Sequence, residues 1–323
     1  MRRILRYGAM TAIAVLCTGI PLAAWGQGAS SNPPSSPSYS GDFPDPAVIW
    51  DGSTHRYWAY STQVSYTTVQ VMSSTDLTGW SAVNNALPAL PGWAASGHTW
   101  APSVAKFGST RVMWYTTRHA SSGRQCLSVA TAAAPGGPFT DRSSGPAICQ
   151  LGHGGSIDAN VFVNGTSTYL LWKSDDNALG HLTHLWAAHL ARNGLRITST
   201  PVQVLSEDAG WQAPAMEGPT MILNGGVYYL FYGAGNWDSS GAAIGYATCS
   251  TPLGPCTDRT TASAWLASYG TALGPSGPNV FTDAVGSTRF AYHAWDGCVG
   301  YPNCNRALWI GSLSFAGGVP QLN

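Results

Sequence analysis

An aromatic strand that returns five times restricts the fold more than any other feature. The copies are Arg56-Tyr-Trp-Ala-Tyr60, Arg111-Val-Met-Trp-Tyr115, Thr168-Tyr-Leu-Leu-Trp172, Tyr228-Tyr-Leu-Phe-Tyr232 and Arg289-Phe-Ala-Tyr-His293, and their last residues lie 55, 57, 60 and 61 apart. A shorter apolar strand precedes each copy by a near-constant step. Val48, Val104, Val161, Met221 and Val280 stand 12, 11, 11, 11 and 13 residues before the aromatic strand ends. A glycine-containing turn separates the two, for example Asn164-Gly165 and Asn224-Gly225-Gly226. A third strand follows, as in Leu127-Ser-Val-Ala-Thr131 and Ile244-Gly-Tyr-Ala-Thr248. A unit this short cannot bury its apolar face alone, so copies must stack. Five copies predict an all-β chain, a five-bladed β-propeller with its site on the central axis. A β-sandwich is the competing fold, and it predicts no fixed period.

In a propeller the first strand of each blade lines the central channel, so equivalent positions converge. Three residues before the reference apolar residue stand Asp45, Ala101, Asp158, Gly218 and Gly277, with Glu217 next to Gly218. Blades one, three and four therefore present a carboxylate at nearly one place. Acids are scarce: Asp and Glu total 15 of 323 residues. Three in register point to catalysis rather than to turn caps or a bound cation. Pro46 fixes an extended approach for Asp45 and gives no N–H to a ladder. Two carboxyls across a cleft suit glycosidic hydrolysis: one protonates the leaving oxygen and the other activates water or attacks the sugar. A third acid beside the donor raises its pKa by like-charge repulsion.

These segments resemble glycoside hydrolase family 43 over Gly41 to the C-terminus. Phe43-Pro-Asp-Pro-Ala-Val resembles the family's general-base segment, which implies that role for Asp45. Ser156-Ile-Asp-Ala-Asn-Val-Phe resembles the auxiliary-acid segment and implies a pKa-modulating role for Asp158. Met216-Glu-Gly-Pro resembles the general-acid segment and implies that role for Glu217. Trp100-Ala-Pro-Ser-Val and Tyr292-His-Ala-Trp resemble the second- and fifth-blade motifs. The resemblance implies inverting hydrolysis of arabinose- or xylose-containing oligo- or polysaccharides. An α-L-arabinofuranosidase or arabinanase is the expected activity. A β-D-xylosidase of the same family, a retaining enzyme and an inactive carbohydrate-binding propeller are the alternatives. The sequence departs from the family at Ala159, at Ser103 and at Gly274-Pro-Ser-Gly-Pro-Asn279, which lacks a His that helps hold an axial metal. No metal ligands and no required cofactor are expected, and a structural calcium on the axis is in doubt.

Phe43, Trp100, Lys173 and His293 are expected substrate contacts, with Trp211 and Trp237 as further sugar platforms. Each Trp reads equally well as core.

Residues 1–26 read as a secretory signal: Arg2, Arg3 and Arg6, then an apolar run, then Ala23-Ala24-Trp25-Gly26. Residues 27–39, rich in Ser and Pro, read as a disordered leader, and 40–323 as the catalytic propeller. Six Cys remain after position 26, and closeness favours Cys126–Cys149, Cys249–Cys256 and Cys298–Cys304. Net charge is zero and only 9% of residues are charged, so neither nucleic acid nor a membrane surface is an expected partner. The chain reads as a secreted monomer, extracellular or periplasmic.

Overall fold

The structure, a computed structural model, describes residues 32–323. The expected signal over 1–26 lies outside the described residues. Five antiparallel sheets follow one another along the chain. Blade 1 holds β1 (Ala47–Asp51), β2 (Arg56–Ser61), β3 (Gln70–Ser74) and β4 (Asn84–Asn85). Blade 2 holds β5 (Ala94–Phe107), β6 (Thr110–His119) and β7 (Gln125–Ala132). Blade 3 holds β8 (Ser156–Asn164), β9 (Ser167–Ser174), β10 (His184–His189) and β11 (Val202–Ser206). Blade 4 holds β12 (Met216–Asn224), β13 (Val227–Ala234), β14 (Ala243–Cys249) and β15 (Cys256–Asp258). Blade 5 holds β16 (Ala272–Thr282), β17 (Thr288–Asp296), β18 (Arg306–Ala316) and β19 (Val319–Leu322). This is the expected five-bladed β-propeller.

The aromatic strands are the second strand of each blade. Both of their faces are buried, because a blade packs on a neighbour at each side. On β6, Met113 and Tyr115 join a cluster with blade 1, while Val112 and Trp114 join one with blade 3. Five such clusters fill the five blade interfaces. The period-2 alternation of a strand thus feeds two cores at once.

Blade 2 has three strands, and its outer position is taken by a loop bridging back through Thr131–Thr140 and Leu127–Ile148. Cys126–Cys149 fastens that loop, Cys249–Cys256 ties β14 to β15, and Cys298–Cys304 closes the β17–β18 loop.

The expected disordered leader differs where it is described. Ser38 and Tyr39 N–H groups donate to the Leu308 carbonyl, and Leu308 N–H donates back to Tyr39. Phe43 N–H donates to the Arg306 carbonyl. The segment before blade 1 therefore pairs with the free side of β18 and closes the ring. Backbone pairing and the packing of Tyr39 and Phe43 order it despite its Ser- and Pro-rich composition.

Candidate active site

The start of each first strand carries a left-handed residue. Asp45, Ala101, Asp158, Gly218 and Gly277 have φ of 53°, 41°, 58°, 58° and 58°. In blades 2 to 5 the strand register slips at this point. Asp and Gly tolerate this conformation, and Ala101 adopts it at a cost of roughly 1–2 kcal/mol. Each bulge turns its residue toward the axis, and the five converge on one pocket lined by Asp45, Ala101, Asp158, Glu217, Gly218 and Gly277.

Side chains of the preceding blade hold these bulges. Ala101 N–H donates to Thr62 Oγ1 (2.9 Å), Asp158 N–H to Thr116 Oγ1 (3.1 Å), and Asp45 N–H to His293 Nδ1 (3.0 Å). Gly218 N–H donates instead to Asp158 Oδ2 at 3.1 Å. Ser103, a departure from the family pattern, accepts the Val161 N–H at 3.1 Å.

The three acids sit in different electrostatic settings. Thr62 donates to Asp45 Oδ2 at 2.6 Å, and Arg306 Nη1 lies 3.9 Å from Oδ1. Burial pushes the Asp45 carboxyl up, but the Arg306 guanidinium and the Thr62 hydroxyl help to hold it below the ordinary value. Asp158 goes the other way. Burial first, then the charges of Glu217 and Asp45, push it well above the ordinary carboxylate range, against Lys173 and the Gly218 N–H. Glu217 Oε2 accepts from Lys173 Nζ at 3.2 Å, and Asp175 lies 3.5 Å from the same ammonium. The like-charge repulsion expected between these two acids acts on Asp158, whose carboxyl Glu217 helps to push up.

The expected substrate contacts divide. Phe43 is 0% exposed in the core between blades 5 and 1, so it is no sugar platform. Lys173 and His293 are each 1% exposed and touch Glu217 and Asp45 rather than open space. Trp100 is half-buried beside the pocket-lining Ala101, its ring edge-on to His98. Trp211 stacks on Tyr232 and donates to the Thr260 carbonyl, a packing role. Trp237 is exposed. Arg306 and Thr62 escape sequence reasoning. Arg306 lies 261 residues from Asp45 and belongs to no motif, whereas Thr62 follows an aromatic strand by two residues and was findable by phase.

No group of three or more His, Cys, Asp or Glu side chains among the described residues could hold a metal. Burial holds His293 down at about 3, so its ring is neutral. Its Nδ1 accepts the Asp45 N–H, and its buried Nε2 has no hydrogen-bond partner among the described residues.

The family model described as Glycosyl hydrolases family 43 matches residues 34–320. The chain is 27% identical to "Probable arabinan endo-1,5-alpha-L-arabinosidase A" of Aspergillus flavus, over 86% of this chain and 90% of that one. Among solved structures, a thermostable family-43 glycoside hydrolase superposes with a TM-score of 0.77 at 24% identity, over 88% of this chain and 96% of that one. An endo-1,4-beta-xylanase from Bacteroides thetaiotaomicron superposes at 0.74 with 25% identity, over 90% and 97%.

Proposed function

This chain belongs to glycosyl hydrolases family 43, and from that membership we propose that it is an exported, inverting hydrolase of α-L-arabinofuranosyl linkages in arabinan or arabinoxylan-type polysaccharides and oligosaccharides. The observation that carries the reading is the split environment of the acids around one pocket. Asp45 is held ionised while Asp158, beside Glu217, is pushed toward holding a proton. A base and a proton reserve then coexist at one pH.

In this reading Asp45 takes a proton from water as the water oxygen attacks the anomeric carbon. The bond to the leaving oxygen breaks, and Glu217, carrying the one proton shared by the Asp158–Glu217 pair, delivers it to that oxygen. The Lys173 ammonium balances the pair's charge and holds Glu217 in place. Burial of Lys173 opposes its charge, but Glu217, Asp175 and Asp158 outweigh that and raise its pKa.

The arabinose assignment is supported by the relative named for arabinan 1,5-linkages. The xylanase of similar fold supports xylosidic cleavage as the second reading. Export is supported by the three disulfides and the signal-like residues 1–26. Assays on nitrophenyl α-L-arabinofuranoside, nitrophenyl β-D-xylopyranoside and linear arabinan test the reading. Hydrolysis of arabinan with release of arabinose or arabino-oligosaccharides is expected. Cleavage of the xyloside alone overturns the sugar assignment, and cleavage of none overturns the reading.

A further inference from the structure

Three aromatic rings among the described residues are exposed: Tyr66, Trp237 and Tyr301. All three stand on loops joining the second strand of a blade to its third, at the same face as the acids. Trp237, on the β13–β14 loop, and Tyr301, on the β17–β18 loop, are neighbours with ring centroids 6.4 Å apart. They are 44% and 46% exposed. We infer that Trp237 and Tyr301 form a second sugar-binding subsite, which holds a neighbouring pentose unit of the substrate beside the acid pocket. The inference rests on the glycosidase reading above and extends it.

The seat is built rather than incidental. The Arg306 guanidinium packs over the Trp237 ring, Cζ 4.8 Å from its centroid, and the same guanidinium reaches to 3.9 Å from Asp45. Trp237 is thus one side chain away from Asp45. Trp295 Nε1 donates to the Trp237 carbonyl at 3.1 Å and fixes its loop. Tyr301 is fixed as firmly. Its hydroxyl donates to Asp42 Oδ1 at 2.7 Å and accepts from Arg306 Nε at 3.1 Å, and its ring packs on Trp295 at 4.9 Å. Cys298–Cys304 closes the short loop that carries it. A sugar presents C–H groups on one ring face, and those suit the face of an aromatic ring. Rigid rings with little freedom to lose make a better seat than mobile ones. Both rings are half open to water on the blade face that carries the acids, with Arg306 between Trp237 and Asp45.

The test uses α-1,5-arabino-oligosaccharides of two to five units. Binding to the Glu217→Gln protein is measured by calorimetry, with and without Trp237→Ala or Trp237→Phe. Hydrolysis by the wild-type chain is followed on the same series and on nitrophenyl arabinofuranoside. We expect affinity to rise with chain length, to fall about tenfold on Trp237→Ala, and to recover largely in Trp237→Phe. The ratio of kcat/KM for the longest oligosaccharide to that for the aryl glycoside should fall by a similar factor in Trp237→Ala. A thermal melt checks that each variant is folded. Tyr301→Ala offers a second route if Trp237→Ala does not fold. Chain-length dependence unchanged in folded Trp237→Ala and Tyr301→Ala overturns the subsite while leaving the glycosidase reading intact. A wild-type chain that binds these oligosaccharides through Trp237 yet cleaves nothing overturns the glycosidase reading instead.

Discussion

Asp45 is a carboxylate in a borrowed setting: its charge partner, its backbone acceptor and its hydroxyl donor come from Arg306, His293 and Thr62. The roles proposed for the acids differ in what they ask of the substrate. Glu217→Gln is expected to lose activity by about 10²–10⁴-fold where the leaving group is a sugar, and by much less on a nitrophenyl glycoside, which needs little protonation. Asp45→Asn should be near-dead on both. Equal losses in Glu217→Gln on both substrates contradict the division. The pH profile adds a second expectation. Arg306 lowers the Asp45 pKa, so Arg306→Gln should raise it and move the acidic limb of kcat/KM to higher pH. The loss should be larger near pH 4 than at neutral pH, where Asp45 is ionised in either protein, and Arg306→Lys should hold the limb in place. An acidic limb that does not move in Arg306→Gln rules out this coupling. The acids were legible because scarce carboxylates fell at a fixed phase. Arg306 was not, because an ion pair across the ring closure leaves no local pattern. Phe43 stands two residues before Asp45, yet its N–H pairs with the Arg306 carbonyl and its ring enters the core between blades 5 and 1.

At the scale of the strand, one bulge repeated five times does the positioning. Its signature was in the sequence as Asp45-Pro46, Ala101-Pro102, Gly218-Pro219 and Gly277-Pro278, with Asp158-Ala159 the exception. The spacing revealed the phase, but the left-handed turn was hidden, because Asp and Ala carry no glycine-like signal for it. The two glycine bulges make a contrast that tests the design. A Cβ on Gly218 meets nothing closer than 3.5 Å, so Gly218→Ala should cost about 1–2 kcal/mol of stability, the price of a left-handed alanine. A Cβ on Gly277 meets His293 Nδ1 at 2.7 Å and Asp45 Cα at 3.1 Å. Gly277→Ala should therefore displace the His293–Asp45 hydrogen bond and lose at least tenfold more activity than Gly218→Ala, about 1.4 kcal/mol in barrier. Urea unfolding and kcat/KM on the aryl substrate measure both. Similar losses in the two variants contradict a positioning role for the His293 contact.

The whole molecule is a ring of five interface cores closed by main-chain pairing of Tyr39 with Leu308. The period of the aromatic strands made the ring readable; the closure was not, since its segment looked like linker. Phe43 sits fully buried at that seam, so Phe43→Ala should cost about 3–5 kcal/mol in urea unfolding. A loss below about 1 kcal/mol contradicts the closure. The ring matters because it brings blades one, three and four to one axis, where their acids are proposed to hydrolyse a glycoside with inversion. Proton NMR of the first-formed sugar from an α-L-arabinofuranoside tests that most directly. The β-anomer should appear first, followed by mutarotation. Initial release of the α-anomer contradicts it and makes Asp45 a nucleophile rather than a base.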